Sequence, residues 1–247
     1  MKSWLWSVLF FSLVAHTDGK PLVTETFDNN GAASSGGQSP KVIWSSKVNG
    51  SIEVVNDPVL GDGKAFKGKQ IVGILPFSTL SGQGDSMTVN FSFRLAGPIT
   101  ATDHGFKLGL FEGGERTDPW FFAAGTGYRW NISTGPYPIP VSLVRESGGL
   151  GEKVLSGQDT NILGQSNTSF SLNDTAKHTA TMTIVNNNGA LNLTLAIDGK
   201  KWVFACSDML PPSTLSPTRF AIRSDANTFL LDDFSFDTKT QANPSSL

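Results

Sequence analysis

Hydrophobic and polar residues alternate through much of this chain, and no segment shows the longer period of an amphipathic helix. The alternation is clearest at 87–95 and at 191–197. A period of two places one face of a strand in a core and the other in water. It predicts two half-buried strands whose core residues are Met87, Val89, Phe91, Phe93, Leu95, Leu191, Leu193, Leu195 and Ile197.

Two short turn motifs flank the second of these strands. Asn188-Gly189 separates 179–185 from 191–197, and Asp198-Gly199-Lys200 separates that strand from 202–206. Asn-Gly readily adopts the positive φ angles of a tight hairpin, and only antiparallel strands can be joined by such short turns. The sequence therefore predicts a three-stranded antiparallel meander.

Other short apolar segments are separated by Gly, Pro, Asn and Asp. They predict strands at 23–27, 41–45, 52–55, 71–77, 106–111, 120–124, 141–145, 219–223 and 229–236. Proline cannot donate to a central ladder, so 136–140 is predicted to be a surface connection or an edge. Many short strands with turns between them indicate an all-β, antiparallel sandwich or barrel. Residues 20–240 are predicted to form one domain, and 241–247 a disordered tail.

The first 19 residues have the features of a secretory signal peptide. Lys2 precedes an uncharged apolar run at 4–15, and small residues at Thr17 and Gly19 suit a signal peptidase. The run is shorter than the roughly 20 apolar residues that span a bilayer. We expect cleavage after 1–19, secretion to the exterior or the periplasm, and no stable membrane insertion afterwards. The alternative is an uncleaved membrane anchor.

Composition narrows the class further. The formal net charge is −2 and no basic block occurs, which argues against a nucleic-acid partner. The single cysteine, Cys206, excludes an intramolecular disulfide and is expected to be a small buried hydrophobe in a strand. A lack of disulfides favours a bacterial exported protein. Sequons for N-glycosylation, which matter only in a eukaryotic host, begin at Asn49, Asn90, Asn131, Asn167, Asn173 and Asn192.

Several motifs together resemble one known superfamily. They are VTETFD at 23–28, GTG at 125–127, SLVRE at 142–146, HTATMT at 178–183, RFAIR at 219–223 and LLDDFSF at 230–236. This arrangement resembles the concanavalin A-like lectin/glucanase jelly rolls, including laminin G-like domains of exported bacterial proteins. The resemblance implies a two-sheet jelly-roll β-sandwich, paired first and last strands, and a concave face or rim that handles glycans. Its members include lectins, hydrolases and lyases, so the fold does not select an activity.

If the terminal strands pair as the resemblance implies, Glu25 or Asp28 would approach Asp232 or Asp233. Calcium takes several oxygen ligands, mainly carboxylates and carbonyls. We therefore place a candidate structural Ca²⁺ site at these four residues, with ordinary turn or edge aspartates as the alternative. No Cys/His set supports zinc, and Gly125-Thr126-Gly127 is interpreted as a turn at a strand end rather than a nucleotide fingerprint.

Catalytic motifs are weaker. A retaining glycosidase needs two carboxylates about 5 Å apart, but the glutamates show no Glu-x-Asp pattern, and Glu112 and Glu115 lie in a glycine-containing loop. A polysaccharide lyase needs a cation for the uronate and a Tyr or His base, for which Tyr128-Arg129-Trp130 is the most suggestive segment. His104 and His178 are interpreted as turn residues. Whether the chain is an enzyme stays open.

Sugar binding requires less, namely aromatic rings for stacking and a few polar side chains for the hydroxyls. Both tyrosines of the chain fall within 115–137, beside two tryptophans. The candidate carbohydrate-binding residues are Trp120, Tyr128, Arg129, Trp130, Tyr137 and Arg145. In an extended strand Tyr128 and Trp130 share one face and Arg129 points to the other. The alternative is that some of these rings belong to the core.

Three functions follow in order. The first is a secreted, lectin-like protein whose partner is a glycan or polysaccharide. The second is a polysaccharide lyase or glycoside hydrolase of the same fold. The third is a non-enzymatic structural or interaction protein of the cell surface.

Overall fold

A computed structural model describes most of the predicted domain. The described residues are 23–27, 42–46, 53–61, 63–76, 79–97, 99, 105–112, 125–148, 155, 160–206, 217–225 and 228–240. The predicted signal peptide, the tail and the strand at 120–124 lie outside them, as do Asp28, His104, Glu115 and Trp120. Within the described ranges, no helix is present that is long and apolar enough to cross a membrane.

Regular structure in the described residues consists of strands. They are β1 (Val23–Glu25), β2 (Ile43–Ser46), β3 (Glu53–Asn56), β4 (Lys64–Gly68), β5 (Gln70–Ile74), β6 (Ser86–Ala96), β7 (Phe106–Glu112), β8 (Gly125–Ile132), β9 (Ile139–Gly148), β10 (Thr160–Phe170), β11 (His178–Asn187), β12 (Ala190–Ile197), β13 (Lys200–Cys206), β14 (Pro217–Ser224) and β15 (Thr228–Lys239).

The strands form two antiparallel sheets that pack as a jelly-roll sandwich. The eight-stranded sheet has the order β13-β12-β11-β6-β15-β4-β3, with β1 added on β15. The seven-stranded sheet has the order β10-β9-β8-β7-β14-β5-β2. Val23 lies opposite Phe236, so the first and last strands of the described domain pair as expected.

One hydrophobic core fills the space between the sheets. Every second residue of β6 from Met87 to Leu95 is buried, which confirms the alternation seen in the sequence. Aromatic rings join the two layers: Trp44 of the seven-stranded sheet packs edge-on against Phe234 of the other sheet at 4.9 Å. Burial of each large side chain contributes about 1.5–3 kcal/mol, and this core therefore sets the sheet geometry on which any site depends.

The hairpin predictions are confirmed. Asn188 and Asp198 have φ of 55° and 49°, and the glycine after each is also in the left-handed region. Residues 136–140 are exposed, with Ile139 and Pro140 opening β9. Cys206 ends strand β13, as its flanking pattern suggested, although its side chain lies outside the described residues.

Other local predictions were incomplete or wrong. The sequence did not predict β4, β8 or β10. The apolar residues of β4, Ala65 and Phe66, are adjacent rather than alternating, the glycines that open β8 suggested a turn, and β10 is an edge strand whose polar side chains largely face solvent. Residues 125–127 are not a terminal turn but the start of β8. His178 is not a turn residue either: it begins β11, is buried, and bonds Asp198 through Nδ1 at 2.6 Å.

Candidate functional site

The outer face of the seven-stranded sheet carries a continuous row of hydrogen-bonding side chains. Strand register places one of them on each of six neighbouring strands: Gln165, Ser142, Asn131, Lys107, Arg223 and Gln70. We call these six residues the polar row. They alternate along their strands with core residues such as Trp130 and Leu108, so they point away from the core. Neighbouring strands lie about 4.8 Å apart, which sets the spacing of the row.

Two cations in the polar row share one carboxylate. Asp225, in the turn after β14, receives Lys107 Nζ at 3.0 Å and Arg223 Nε at 2.8 Å. Its position is fixed by its own backbone N–H, which donates to Gly105 O at 3.0 Å. The side chains of Lys107 and Arg223 both remain partly exposed. The center of the row is thus an exposed, mixed-charge group with two cations and one anion.

Asn131 is held next to these cations with one amide atom unused. Its Nδ2 donates to Ser142 Oγ at 3.2 Å. Its Oδ1 is buried and has no hydrogen-bond partner among the described residues. A buried acceptor without a partner is uncommon and costs free energy, so it marks a place where an incoming donor would be stabilised.

Beside the polar row, part of the outer face is covered. Four residues that point away from the main core, Val72, Phe111, Leu155 and Ala221, form a separate buried group that we call the covered cluster. Leu155 is fastened over the sheet by two hydrogen bonds: its N–H donates to Glu146 Oε2 at 2.8 Å, and its carbonyl accepts from Arg223 Nη1 at 3.0 Å. Arg223 therefore links the covered cluster to the polar row.

A buried ion pair lies at the same face. Arg129 and Glu146, on β8 and β9, are only 6% and 1% exposed, and Arg129 Nη1 bonds Glu146 Oε1. Burial lowers the pKa of the Arg129 guanidinium, nearby Asp225 raises it, and Arg223 lowers it. Arginine nevertheless stays protonated, because its ordinary pKa is far above neutrality. Its Nε is buried and makes no hydrogen bond within the described part of the chain.

Two glycines leave room for the ring of Phe111 on this face. The aromatic ring of Phe111 lies over Gly109 and Gly127 and occupies the space that a Cβ at either position would need. Only a residue without a side chain fits beneath the ring, which explains the glycines at 109 in β7 and 127 in β8. Phe111 can then lie flat and reach Leu155 and the other members of the covered cluster.

The predicted site residues are only partly brought together. Tyr128 and Trp130 are both 0% exposed and belong to the main core, so the expectation that their rings stack on a sugar is wrong for these positions. The prediction that Arg129 faces away from them is confirmed by its ion pair with Glu146. Arg145 lies opposite Tyr128 in the β8–β9 ladder and hence on the inner side.

Tyr137 is the predicted residue that the structure does expose. It is 74% exposed, in a loop between β8 and β9 that also contains Pro136 and Pro138. Ser133 Oγ donates to Tyr137 O at 3.0 Å, and Ser171 Oγ donates to Gly135 O at 2.5 Å. These bonds and the fixed φ of proline hold the loop in one shape. The loop begins two residues after Asn131, at the same end of the sheet as the polar row.

Of the four carboxylates proposed for calcium, Asp28 lies outside the described residues, and the other three are not assembled. Glu25 points between the sheets, where it accepts hydrogen bonds from Val42 N at 3.0 Å and Trp44 Nε1 at 2.5 Å. Asp233 accepts from Ser92 Oγ at 3.0 Å and Lys177 Nζ at 3.2 Å on the opposite side of the sheet. Asp232 also lies on that side, near Gly61. No group of three or more metal-ligating side chains occurs among the described residues.

Sequence reasoning missed Lys107, Arg223, Asp225 and Gln70. Lys107 sits between apolar neighbours, Phe106 and Leu108, so its outward direction was readable from the alternation. Gln70 and Arg223 each have only one apolar neighbour, Ile71 and Ile222, and their signal was weaker. Their common row was not readable, because it depends on the register of strands that are far apart in the chain.

No protein-family model matches the chain, and no curated protein matches its sequence. Solved structures with a similar fold exist at low identity. A carbohydrate esterase of the Shiga toxin-encoding bacteriophage phi24B aligns at a TM-score of 0.48 and 14% identity, over 90% of this chain and 99% of the other. The Emp46p carbohydrate recognition domain aligns at 0.49 and 15%, over 76% and 86%. A botulinum neurotoxin DC binding domain, solved with SialylT, aligns at 0.46 and 11%, over 88% and 47%.

Proposed function

We propose that this chain is an exported carbohydrate-binding protein that holds an extended glycan along the polar row. One observation carries the proposal: six neighbouring strands each place one hydrogen-bonding side chain at the same level of the sheet, and four of the six, all but Ser142 and Gln70, are exposed or half-buried. The side chains offer amides, a hydroxyl and two cations, which suit sugar hydroxyls and ring substituents. Export is proposed from the signal-like segment at 1–19.

The spacing of the row supports an extended ligand. Strands lie about 4.8 Å apart. That distance is close to the length of one pyranose unit in a polysaccharide, so a chain lying across the strands would meet about one side chain per sugar. A donor hydroxyl at the center would also satisfy Asn131 Oδ1, which has no partner within the described residues.

Tyr137 supplies a stacking surface beside this row, in the loop that joins the strands of Asn131 and Ser142. Its exposed ring is held on a loop that hydrogen bonds and two prolines restrict. A rigid loop loses little conformational entropy on binding, so stacking on an apolar sugar face retains most of its free energy. We place Tyr137 in the site on this basis, and Tyr128, Trp130 and Arg145 outside it.

Retention on immobilised polysaccharides tests the proposal. We expect the secreted chain to be retained on at least one neutral or uronate polymer. Tyr137→Ala should weaken that retention about threefold to tenfold, because ring stacking contributes about 0.5–1.5 kcal/mol. Thr181→Val, on the outer face of the other sheet, is the matched control and should bind like the parent.

Two results would overturn this function. Retention that Tyr137→Ala and Asn131→Ala both leave unchanged would place the ligand elsewhere. Absence of retention on every polymer would favour a structural or interaction role. Unsaturated uronate products, followed by ultraviolet absorbance in the same incubations, would instead indicate a polysaccharide lyase.

Calcium binding is part of the proposal only at Asp232 and Asp233, since the side chain of Glu25 is directed to Val42 and Trp44. Calcium prefers several oxygen ligands, and two adjacent carboxylates supply part of such a set. Thermal unfolding with calcium and then with a chelator tests this. An unfolding midpoint that rises with calcium in the parent protein but not in Asp233→Asn supports the site. A midpoint that calcium leaves unchanged in the parent argues against it.

A further inference from the structure

We propose that the polar row selects glycans that carry carboxylates, and that Lys107 and Arg223 are the residues that recognise a uronate unit. This inference rests on the proposed glycan-binding function and specifies its substrate class. It is carried by the charges of the outer face of the seven-stranded sheet, which differ from those of the chain as a whole.

Among the described residues at the center of the polar row, cations outnumber anions. Arg129 is neutralised by its buried partner Glu146. Lys107 and Arg223 together share the single carboxylate of Asp225, which leaves one positive charge over. The complete chain has a formal net charge of −2, so this local surplus does not follow from a generally basic surface. An anionic ligand would be attracted to this part of the row rather than to the molecule at large.

Both cations retain donors for a ligand. Arg223 uses Nε for Asp225 and Nη1 for Leu155 O, and its Nη2 has no partner within the described ranges. Lys107 has three donors on its ammonium group, of which Asp225 is the partner that the described structure provides. The two residues are directly opposite each other on β7 and β14, so one carboxylate can contact both.

The chemistry of the pair favours a carboxylate. A guanidinium presents a planar fork that matches two carboxylate oxygens, and an ammonium group adds a compact charge beside it. Asp225 already shows that this pair accepts a carboxylate, at 3.0 Å from Lys107 Nζ and 2.8 Å from Arg223 Nε. A uronate places one such group on a sugar ring, while the hydroxyls of the same chain can reach Asn131 and Ser142.

Substitutions of Asp225 and Lys107 should change the affinity for a uronate in opposite directions. The charge of Asp225 attracts the two cations but repels an anionic ligand, so Asp225→Asn should strengthen uronate binding about threefold. Lys107→Gln should weaken it about fivefold, and Lys107→Arg should restore it. Both effects should shrink at high ionic strength, because salt screens partly exposed charges. Affinity for a neutral polysaccharide should change much less than uronate affinity in all three variants, because such a ligand brings no charge to Lys107 or Asp225.

Titration calorimetry with a polygalacturonate, a neutral β-glucan and a sulfated glycan separates the outcomes, with thermal unfolding to confirm that each variant is folded. Stronger uronate binding by Asp225→Asn with a much smaller change in β-glucan binding supports the inference. Binding of the neutral glucan alone, weakened by Tyr137→Ala, overturns the inference but keeps the proposed function. Equal binding of the sulfated glycan and the uronate overturns the choice of carboxylate. Binding of none of the three overturns both proposals.

Discussion

The outer faces of the two sheets differ in how their polar side chains find hydrogen-bond partners. On the eight-stranded sheet, the outer face of β6, β11 and β15 includes neutral short side chains that bond one another, while Arg94 of β6 pairs with Asp57. Thr181 Oγ1 donates to Asn90 Oδ1 at 2.8 Å, and Asn90 Nδ2 donates to Ser235 Oγ at 3.3 Å. On the seven-stranded sheet, the face is charged, and Leu155 covers part of it.

This difference separates a solvent face from the face that we propose binds a ligand. Cross-strand Thr, Ser and Asn pairs are common on exposed sheets and leave few groups in need of a partner. The outer face of the seven-stranded sheet buries both partners of an ion pair, and it leaves Arg129 Nε and Asn131 Oδ1 without partners among the described residues. Such an arrangement costs stability, so a ligand that completes it is the simplest physical reason for it.

The largest expected effect follows from the buried ion pair on the outer face of the seven-stranded sheet. Glu146→Gln keeps the shape of the side chain and can still accept from Leu155 N, but it leaves the Arg129 cation buried without a counter-charge. Breaking one side of a buried pair costs about 3–5 kcal/mol, and we expect about 3 kcal/mol here. The free energy of unfolding in urea measures it.

A double-mutant cycle identifies the cause. Arg129→Met combined with Glu146→Gln removes the lone charge, so the double variant should be more stable than the sum of the two single losses predicts. Additive losses would show that the pair contributes by packing alone. The same cycle on Thr181 and Asn90, on the outer face of the eight-stranded sheet, should give a coupling free energy below about 1 kcal/mol.

A smaller loss of stability is expected when the packing of Phe111 in the covered cluster is disturbed. A methyl group at Gly127 would occupy the space of the Phe111 ring, so Gly127→Ala should destabilise the fold by about 2 kcal/mol. Gly61→Ala is the matched control, because its Cβ would meet only Asp232 Oδ2 at an ordinary 3.5 Å. Thermal unfolding of both variants measures the difference. Equal midpoints would mean that Phe111 can move aside at no cost.

Much of the fold was predictable from local patterns. The alternation in β6 and β12 and the Asn-Gly and Asp-Gly turns act within a few residues, and the structure confirms them. The edge strand β10 was missed because its polar sequence lacks a buried face, and its pairing with β9 is what makes it a strand. Local patterns report burial and turns, not tertiary pairing.

The site was less predictable than the fold. Tyr128 and Trp130 look the same in sequence whether their face is the core or a ligand groove, and only the second sheet packed against them decides it. Tyr137 differed by a readable signal, since flanking prolines keep it out of a central strand. The sharing of Asp225 by Lys107 and Arg223 depends on three separate strand and turn positions, which no local pattern encodes.

The smallest predicted effect concerns the charge of Asp198, in the turn between β12 and β13 of the eight-stranded sheet. Asp198 accepts from Thr179 N at 2.8 Å and bonds His178 Nδ1 at 2.6 Å. Asn tolerates the positive φ of this position, so Asp198→Asn removes the charge without straining the turn. Its side chain is 44% exposed, and solvent screening therefore limits the expected loss to about 1 kcal/mol, less than for Glu146→Gln.

The pH dependence of Asp198 shows whether charge is the cause. Burial raises the pKa of Asp198, but hydrogen bonds from His178 and Thr179 outweigh it and hold the pKa below 3.8. A carboxyl with a lowered pKa stabilises the fold fully above its unfolded pKa and loses that contribution as the pH falls through its folded pKa. The gap in urea midpoint between the parent and Asp198→Asn should therefore close below pH 3.8. A gap that persists in acid would assign the loss to hydrogen-bond geometry, and the contrast between the two faces would then rest on the Glu146 pair.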